Sequence, residues 1–189
     1  MSRSLIFGGA RSGKSAYAEQ LALRLSAEGS KQVIYLATAA AADSEMQQRI
    51  VHHQSRRPTD WQTIEQTTAL GAAIQEYSQP ETILLIDCLT VWLSNLLFSE
   101  NVKFPEIGQI TPPALFAEQR SEMLNALEQA KGDVILVSNE VGMGIVPMGA
   151  ISRWFVDEAG RLNQAVAASC DKVVWVAAGL PLFLKGAPC

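Results

Sequence analysis

Five short runs of apolar residues, rich in β-branched side chains, place the tightest limit on how this chain can fold. They fall at residues 5–7, 32–38, 82–88, 133–139 and 172–178. Within each run the apolar residues are contiguous. A strand wetted on one face alternates apolar and polar residues, whereas a strand covered on both faces has no need to. Stretches with helical spacing separate the runs, at 14–27, 44–53, 115–130 and 152–169. The first is expected to close at Gly29, which suits a helix C-cap. Strand and helix in alternation predict an α/β fold: a mostly parallel sheet with helices on both faces.

Length and charge narrow the reading further. At about 150 residues per domain, the 189 residues form one domain spanning 1–189. A hydrophobic share of 48% with 18% charged residues excludes a disordered chain. The net charge of −4, from 15 basic and 19 acidic residues, gives no general attraction to nucleic acid or to an anionic membrane. Any phosphate must therefore be held by a local site. No apolar run approaches the roughly 18 residues of a membrane span. The longest, 173–184, is interrupted by Gly179 and Pro181. Only Leu5, Ile6 and Phe7 precede a glycine loop, so no secretory leader is expected. The 3 cysteines make an odd count with no Cys-x-x-Cys spacing, which argues against a zinc site or a disulfide framework and for a reducing cytoplasm. Cys88 lies inside an apolar run and reads as a small core residue. Residues 98–113 carry three prolines and no period, and read as a surface loop.

The most informative motif follows the first run: Gly8-Gly9-Ala10-Arg11-Ser12-Gly13-Lys14-Ser15. It fits G-x-x-x-x-G-K-[ST] between a strand and a helix, which is the context this phosphate loop requires. Glycines let the backbone curl so that successive N–H groups face an anion, and the helix N-terminus adds partial positive charge. Lys14 is placed to reach the β- and γ-phosphates and the Ser15 hydroxyl to ligate Mg²⁺. The third run ends Ile83-Leu84-Leu85-Ile86-Asp87, and a carboxylate at the end of a buried strand is the partner arrangement that supports the metal. Together they predict a Mg-nucleoside triphosphate site.

The 2 histidines of the chain are adjacent, His52 and His53. Ser44 and Gln47 form a capping box that would open a helix over 44–53. At about 100° per residue, Glu45, Arg49 and His52 share a polar face, while Met46, Ile50 and His53 share an apolar one. This helix would start beyond the carboxyl end of the second strand, where ligands sit in doubly wound sheets. Imidazole is a competent nucleophile near neutral pH. It equally suits a helix C-terminus, where it meets the macrodipole. Arg56 and Arg57 could clamp phosphate oxygens or sit in a solvated turn. Glu65 could accept from the two N–H donors of a guanine edge. After the fourth run, Asn139 and Glu140 open a loop with Gly142 and Gly144, placed either to sense a γ-phosphate or to make a connection only. In the last helix Phe155, Ala159, Leu162 and Val166 form the apolar stripe, and Arg153, Asp157, Arg161, Asn163 and Gln164 are polar, either solvated or facing a subunit neighbour.

Taken together these segments resemble a known family, the bifunctional adenosylcobinamide kinase / adenosylcobinamide-phosphate guanylyltransferases of cobalamin biosynthesis (CobU or CobP). The matching stretches are GGARSGKS at 8–15, EMxxRIxHH at 45–53, RPxxWxTxE at 57–65, DCLTxWLSNLLF at 87–98, NEVGMGIVP at 139–147 and FxDxAGRLNQ at 155–164. The resemblance spans nearly the whole chain, but the loop 98–113 and the tail 180–189 follow no pattern that aligns. It implies a RecA-like P-loop fold and a homotrimer. It also implies two activities: phosphorylation of adenosylcobinamide with ATP or GTP, then transfer of GMP from GTP to adenosylcobinamide phosphate through a GMP–histidine. The nucleophile aligns with His52. Nucleotide contacts carried over by position fall on Gly8, Gly9, Ala10, Arg11, Ser12, Gly13, Lys14, Ser15, Thr38, Ala39, Ala40, His53, Gln54, Ser55, Arg56, Glu65 and Asp87.

Two other readings compete. One is an enzyme of a single activity, kinase or guanylyltransferase. The other is a P-loop switch or motor that hydrolyses nucleotide to regulate a partner, and such a protein would give the adjacent histidines no task.

Overall fold

A computed structural model describes residues 1–39, 58–100 and 102–187. The expected helix over 44–53 lies outside them. The strands are β1 (Arg3–Gly8), β2 (Gln32–Ala37), β3 (Gln62–Glu65), β4 (Thr82–Asp87), β5 (Asp133–Asn139), β6 (Lys172–Ala177) and β7 (Leu180–Lys185). The helices are α1 (Lys14–Gly29), α2 (Leu70–Tyr77), α3 (Leu89–Leu97), α4 (Ala114–Glu128) and α5 (Ala150–Ser169).

All seven strands join one sheet in the order β3-β2-β4-β5-β1-β6-β7. Every pairing is parallel except β6 with β7. The contiguous apolar runs have the predicted cause. Along β4, Ile83 and Leu85 face one layer while Leu84 and Ile86 face the other, and all four are buried. On one side Ala18, Leu21 and Ala22 of α1 cover Ile6, Val33, Tyr35, Ile135, Val137 and Val174. On the other, α2, α3, α4 and α5 cover Leu5, Ile34, Leu36, Val134 and Leu136. Each such aliphatic side chain taken fully out of water contributes about 1.5–3 kcal/mol.

Five elements depart from the sequence reading. β3 has four residues, mostly exposed, at the sheet edge, and so carries no apolar run. α2 and α3 are short and were not distinguished; α3 is apolar nearly all round because it is sunk into the core, with Trp92, Leu93, Leu96 and Leu97 all fully buried. The tail that matched no pattern becomes β7, paired antiparallel on β6 through the two residues Ala178 and Gly179. Both have positive φ, 51° and 79°, as a tight hairpin whose turn matches strand twist requires. Finally, α1 runs through Gly29, and Ser30 takes the left-handed cap position at φ 50°. In α5 the stripe holds as expected, with Ala159, Leu162 and Val166 buried and Phe155 packed against them. Asn163 is buried as well, so it does not belong to a solvated face.

No helix among the described residues is long and apolar enough to cross a membrane.

Candidate active site

Parallel strands deliver their carboxyl ends to one edge, and the ends of β1 to β5 collect there, three of them polar: Glu65, Asp87 and Asn139. In register, Gly8 of β1 lies opposite Asn139 of β5, Asp87 of β4 opposite Val137, and Ala37 of β2 opposite both Asp87 and Glu65 of β3. β5 separates the strand of the phosphate loop from the strand ending in Asp87. That spacing puts the loop on one side of the β5 end and a carboxylate on the other.

The loop from Gly8 to Lys14 is shaped for an anion. A Cβ on Gly8 would stand 2.2 Å from the Val176 carbonyl oxygen, so only glycine lets β1 run this close to β6 at the point where the chain turns. Gly13 sits at φ 96°, where glycine alone is unstrained. The loop is braced from behind by the β6–β7 hairpin, whose Gly179 N–H donates to the Ser12 carbonyl at 2.8 Å. Among the described residues the N-terminus of α1 has no side-chain cap and the buried Ser12 hydroxyl has no hydrogen-bond partner. Uncapped helix donors and an orphaned buried hydroxyl are the features that a bound phosphate would satisfy.

Lys14 is buried in the first turn and its Nζ donates to the Gly9 carbonyl at 3.1 Å. Burial pushes its pKa below the usual lysine value, against the opposing pull of Cys88 and Asp87. Asp87 is half-buried, and the Tyr35 hydroxyl donates to its Oδ2 at 3.1 Å. Thr38, fully buried at the end of β2, binds the next residue twice: its hydroxyl donates to the Cys88 carbonyl at 2.9 Å and accepts the Cys88 N–H at 2.8 Å. Asn95 of α3 donates through Nδ2 to the carbonyls of Thr38 at 2.8 Å and Thr67 at 3.0 Å. On the other flank the Thr90 hydroxyl accepts the Asn139 N–H at 2.8 Å, and the Glu140 N–H donates to the Gly8 carbonyl at 3.0 Å.

Gly8, Gly9, Ala10, Arg11, Ser12, Gly13, Lys14 and Ser15 therefore form one continuous loop and helix start. Asp87 ends β4, and Thr38 and Ala39 follow the end of the neighbouring β2 at the same edge of the sheet. Glu65 is exposed at the tip of the edge strand, at the same level as Asp87 and separated from it by β2. Ala40, His52, His53, Gln54, Ser55 and Arg56 lie outside the described residues, as do Arg57 and the capping box. Sequence reasoning missed Tyr35, Thr90, Asn95 and Gly179, which hold the site together. Of these, Gly179 alone carried a local signal, as a glycine between two apolar runs.

The donors present fit Mg²⁺. Among the described residues no group of three or more His, Cys, Asp or Glu forms a metal cage. A hydroxyl on Ser15 and a single carboxylate on Asp87 instead match an ion that keeps waters and takes phosphate oxygens as ligands.

Comparison with known proteins fits this geometry. Among solved structures, the chain is similar to the ATP synthase subunit NeqB of Nanoarcheaum equitans, at TM-score 0.56 and 11% identity over 93% of this chain and 45% of that one. It is also similar to the flagellar accessory protein FlaH of Methanocaldococcus jannaschii, at TM-score 0.51 and 11% identity over 98% of this chain and 78% of that one. At such identities these show the fold, a RecA-like P-loop sheet. Sequence relatives go further. The bifunctional adenosylcobalamin biosynthesis protein CobP of Pseudomonas aeruginosa is 46% identical over 98% of this chain and 99% of its own. CobU of Escherichia coli K12, of the same description, is 40% identical over 96% of this chain and 98% of its own. Residues 4–184 match the family described as cobinamide kinase / cobinamide phosphate guanyltransferase. With nearly full-length matches on both counts, the chain belongs to the cobinamide kinase / cobinamide phosphate guanyltransferase family.

Proposed function

We propose that the chain carries out two transfers at one triphosphate site. It phosphorylates the hydroxyl of adenosylcobinamide with ATP or GTP, and it then moves GMP from GTP onto the resulting phosphate, giving adenosylcobinamide-GDP and pyrophosphate. The observation that carries this reading is the phosphate cradle at Gly8–Ser15 facing Asp87 across β5, in a chain of this family.

In the kinase step the substrate hydroxyl oxygen attacks the γ-phosphorus and loses its proton, while the bond to the β-phosphate oxygen breaks. The uncapped N–H groups of the loop and the Lys14 ammonium are fixed before reaction and meet the charge that grows on the departing phosphates. In the guanylyl step the His52 imidazole attacks the α-phosphorus, a P–N bond forms and pyrophosphate leaves. A phosphate oxygen of adenosylcobinamide phosphate then attacks the same phosphorus and releases His52. Splitting the transfer in two is the advantage of covalent catalysis. Ser15 and Asp87 are the residues that would hold Mg²⁺, which when bound offsets charge on the triphosphate. Thr38, Ala39, Ala40, His53, Gln54, Ser55, Arg56 and Glu65 belong to the nucleotide surface in this reading.

We further infer a homotrimer working in the cytoplasm. The large apolar side chains left exposed, among them Ile145, Met148 and Leu180, support self-association. The free buried thiols of Cys88 and Cys170 suit a reducing compartment.

Mass spectrometry after incubation with Mg-GTP tests the central step. A gain of one GMP on His52 is expected. An unmodified protein, or GMP on another residue, would overturn the assignment of His52 as nucleophile.

A further inference from the structure

The carboxylate of Asp87 is held by a residue that no phosphate-site motif includes. Tyr35 lies on β2 two positions before Ala37, which is in register with Asp87. Residues two apart on neighbouring strands share a face, and an aromatic side chain spans that diagonal. The ring is buried, 3% exposed, under α1, and its hydroxyl donates to Asp87 Oδ2 at 3.1 Å. Around the same residue the backbone is fixed separately: the Thr38 N–H donates to the Asp87 carbonyl at 3.2 Å, and Thr38 engages both polar groups of Cys88. Thus β2 fixes the main chain of the β4 end with Thr38 and its side chain with Tyr35.

The carboxylate needs this restraint because of its neighbour. Lys14 and Asp87 stand on opposite sides of β5 at the same sheet edge, and the two form no ion pair. Lys14 is turned instead to the Gly9 carbonyl. A carboxylate without another partner is free to turn toward the buried ammonium, which attracts it. Such a pair would occupy at once the cation that phosphate needs and the anion that a metal needs. The phenol offers Asp87 a neutral donor for one oxygen, and among the described residues the other takes no hydrogen bond.

We infer that Tyr35 is a positioning residue: its hydroxyl holds the Asp87 carboxylate in the orientation that receives a nucleotide-bound divalent cation and keeps it from pairing with Lys14. The inference rests on the reading of Asp87 as a metal-supporting residue. Ligands to a metal-binding group typically matter by 10- to 100-fold in metal affinity, and Tyr35 holds that place toward Asp87.

The test compares wild type, Tyr35→Phe, Asp87→Asn and the double variant by two measurements. One is binding of a fluorescent GTP analogue with and without Mg²⁺. The other is capture of Mn²⁺ in the presence of GTP, followed by loss of the free-ion paramagnetic signal. The Phe variant keeps the buried ring and removes one atom. It is expected to bind the analogue like wild type in chelator, and to need about tenfold more Mg²⁺ or Mn²⁺ to reach the same complex. In the Asp87→Asn background the Phe substitution is expected to add nothing, because it acts through the carboxylate. A Tyr35→Phe protein whose metal dependence superimposes on wild type, even if it melts at lower temperature, overturns the inference. If Asp87→Asn itself leaves metal dependence unchanged, the reading of Asp87 fails first and takes this inference with it.

Discussion

Thr38 and Cys88 form a closed pair across two parallel strands, the threonine hydroxyl donating to the cysteine carbonyl and accepting its N–H at 2.9 and 2.8 Å. The contact ties the end of β2 to the residue after Asp87, in a place where Thr38 is wholly buried. A single hydroxyl thus satisfies two backbone groups that water does not reach.

Replacing Thr38 with Val keeps the shape and strands the Cys88 N–H, while the Cys88 carbonyl still accepts the Trp92 N–H at 3.1 Å. An unsatisfied buried polar group costs about 1–3 kcal/mol, so Thr38→Val is expected to lose about that much in urea unfolding. Thr38→Ser keeps the hydroxyl and is expected to lose about 1 kcal/mol, the share of one methyl group. Equal losses for the two variants would show that packing, not hydrogen bonding, makes Thr38 matter.

Lys14 is expected to trade stability against activity. Its pKa is depressed by burial below the usual 10.5, so the folded state releases the proton before the unfolded state does. Where both states are charged, the folded one carries the desolvation cost. As pH rises through the depressed value toward 10.5, the unfolded state holds more protons and the Lys14 contribution to stability increases. Nucleotide affinity should fall over the same alkaline window as the charge disappears. Lys14→Met should remove both pH effects, leave the melting temperature equal or higher, and lower turnover by about 10²–10³, the usual loss for one charge-stabilising donor. Melting and GTP-binding profiles from pH 7 to 10.5 check the signs.

His52 separates the two proposed activities. His52→Asn is expected to abolish covalent labelling by GTP carrying α-³²P, and to leave phosphorylation of adenosylcobinamide within about threefold of wild type, since direct transfer from the γ-position needs no enzyme nucleophile. Product analysis by chromatography distinguishes the phosphate from the GDP derivative. Loss of the phosphate product as well would assign His52 to the shared nucleotide surface.

Cys88 stands beside Asp87 and Lys14, a position that invites a redox or nucleophilic role. Its physical state argues otherwise. Burial, helped by the Asp87 charge, pushes the thiol up to about 12, and burial does the same to Cys170. At pH 8 roughly one part in 10⁴ would be thiolate, the reactive form. In a Cys189→Ser background, both remaining thiols should resist an aromatic disulfide reagent for as long as the protein stays folded, and react promptly in denaturant. Rapid reaction of Cys88 in the native protein would mean that the β4 end opens.

Legibility in the sequence followed burial and local chemistry. The five runs became β1, β2, β4, β5 and β6 because strands covered on both faces must be apolar throughout, and that leaves a plain mark. The phosphate loop was legible because its backbone shape demands glycine at Gly8 and Gly13 and its charge demands Lys14. β3 was not, since an exposed edge strand of four residues has no apolar face to show. β7 was hidden by Pro181 and by the lack of polar alternation: Leu180, Leu182 and Leu184 all remain exposed. Tyr35, Thr90 and Asn95 serve the site through tertiary contacts at sequence separations of about 50, 50 and 60 residues, a distance that no local pattern encodes.

The order of strands also sets a timetable for biosynthesis. β1 is the first strand made, yet it lies between β5 and β6, so both of its neighbours come from the far end of the chain. At about 5–20 residues per second, the ribosome takes on the order of 10–30 s to supply the second of them. Through that interval the phosphate loop hangs from a strand without its flanking partners. The nucleotide cradle is therefore among the last features to assemble, and a nascent chain that stalls before Lys172 cannot yet grip a triphosphate.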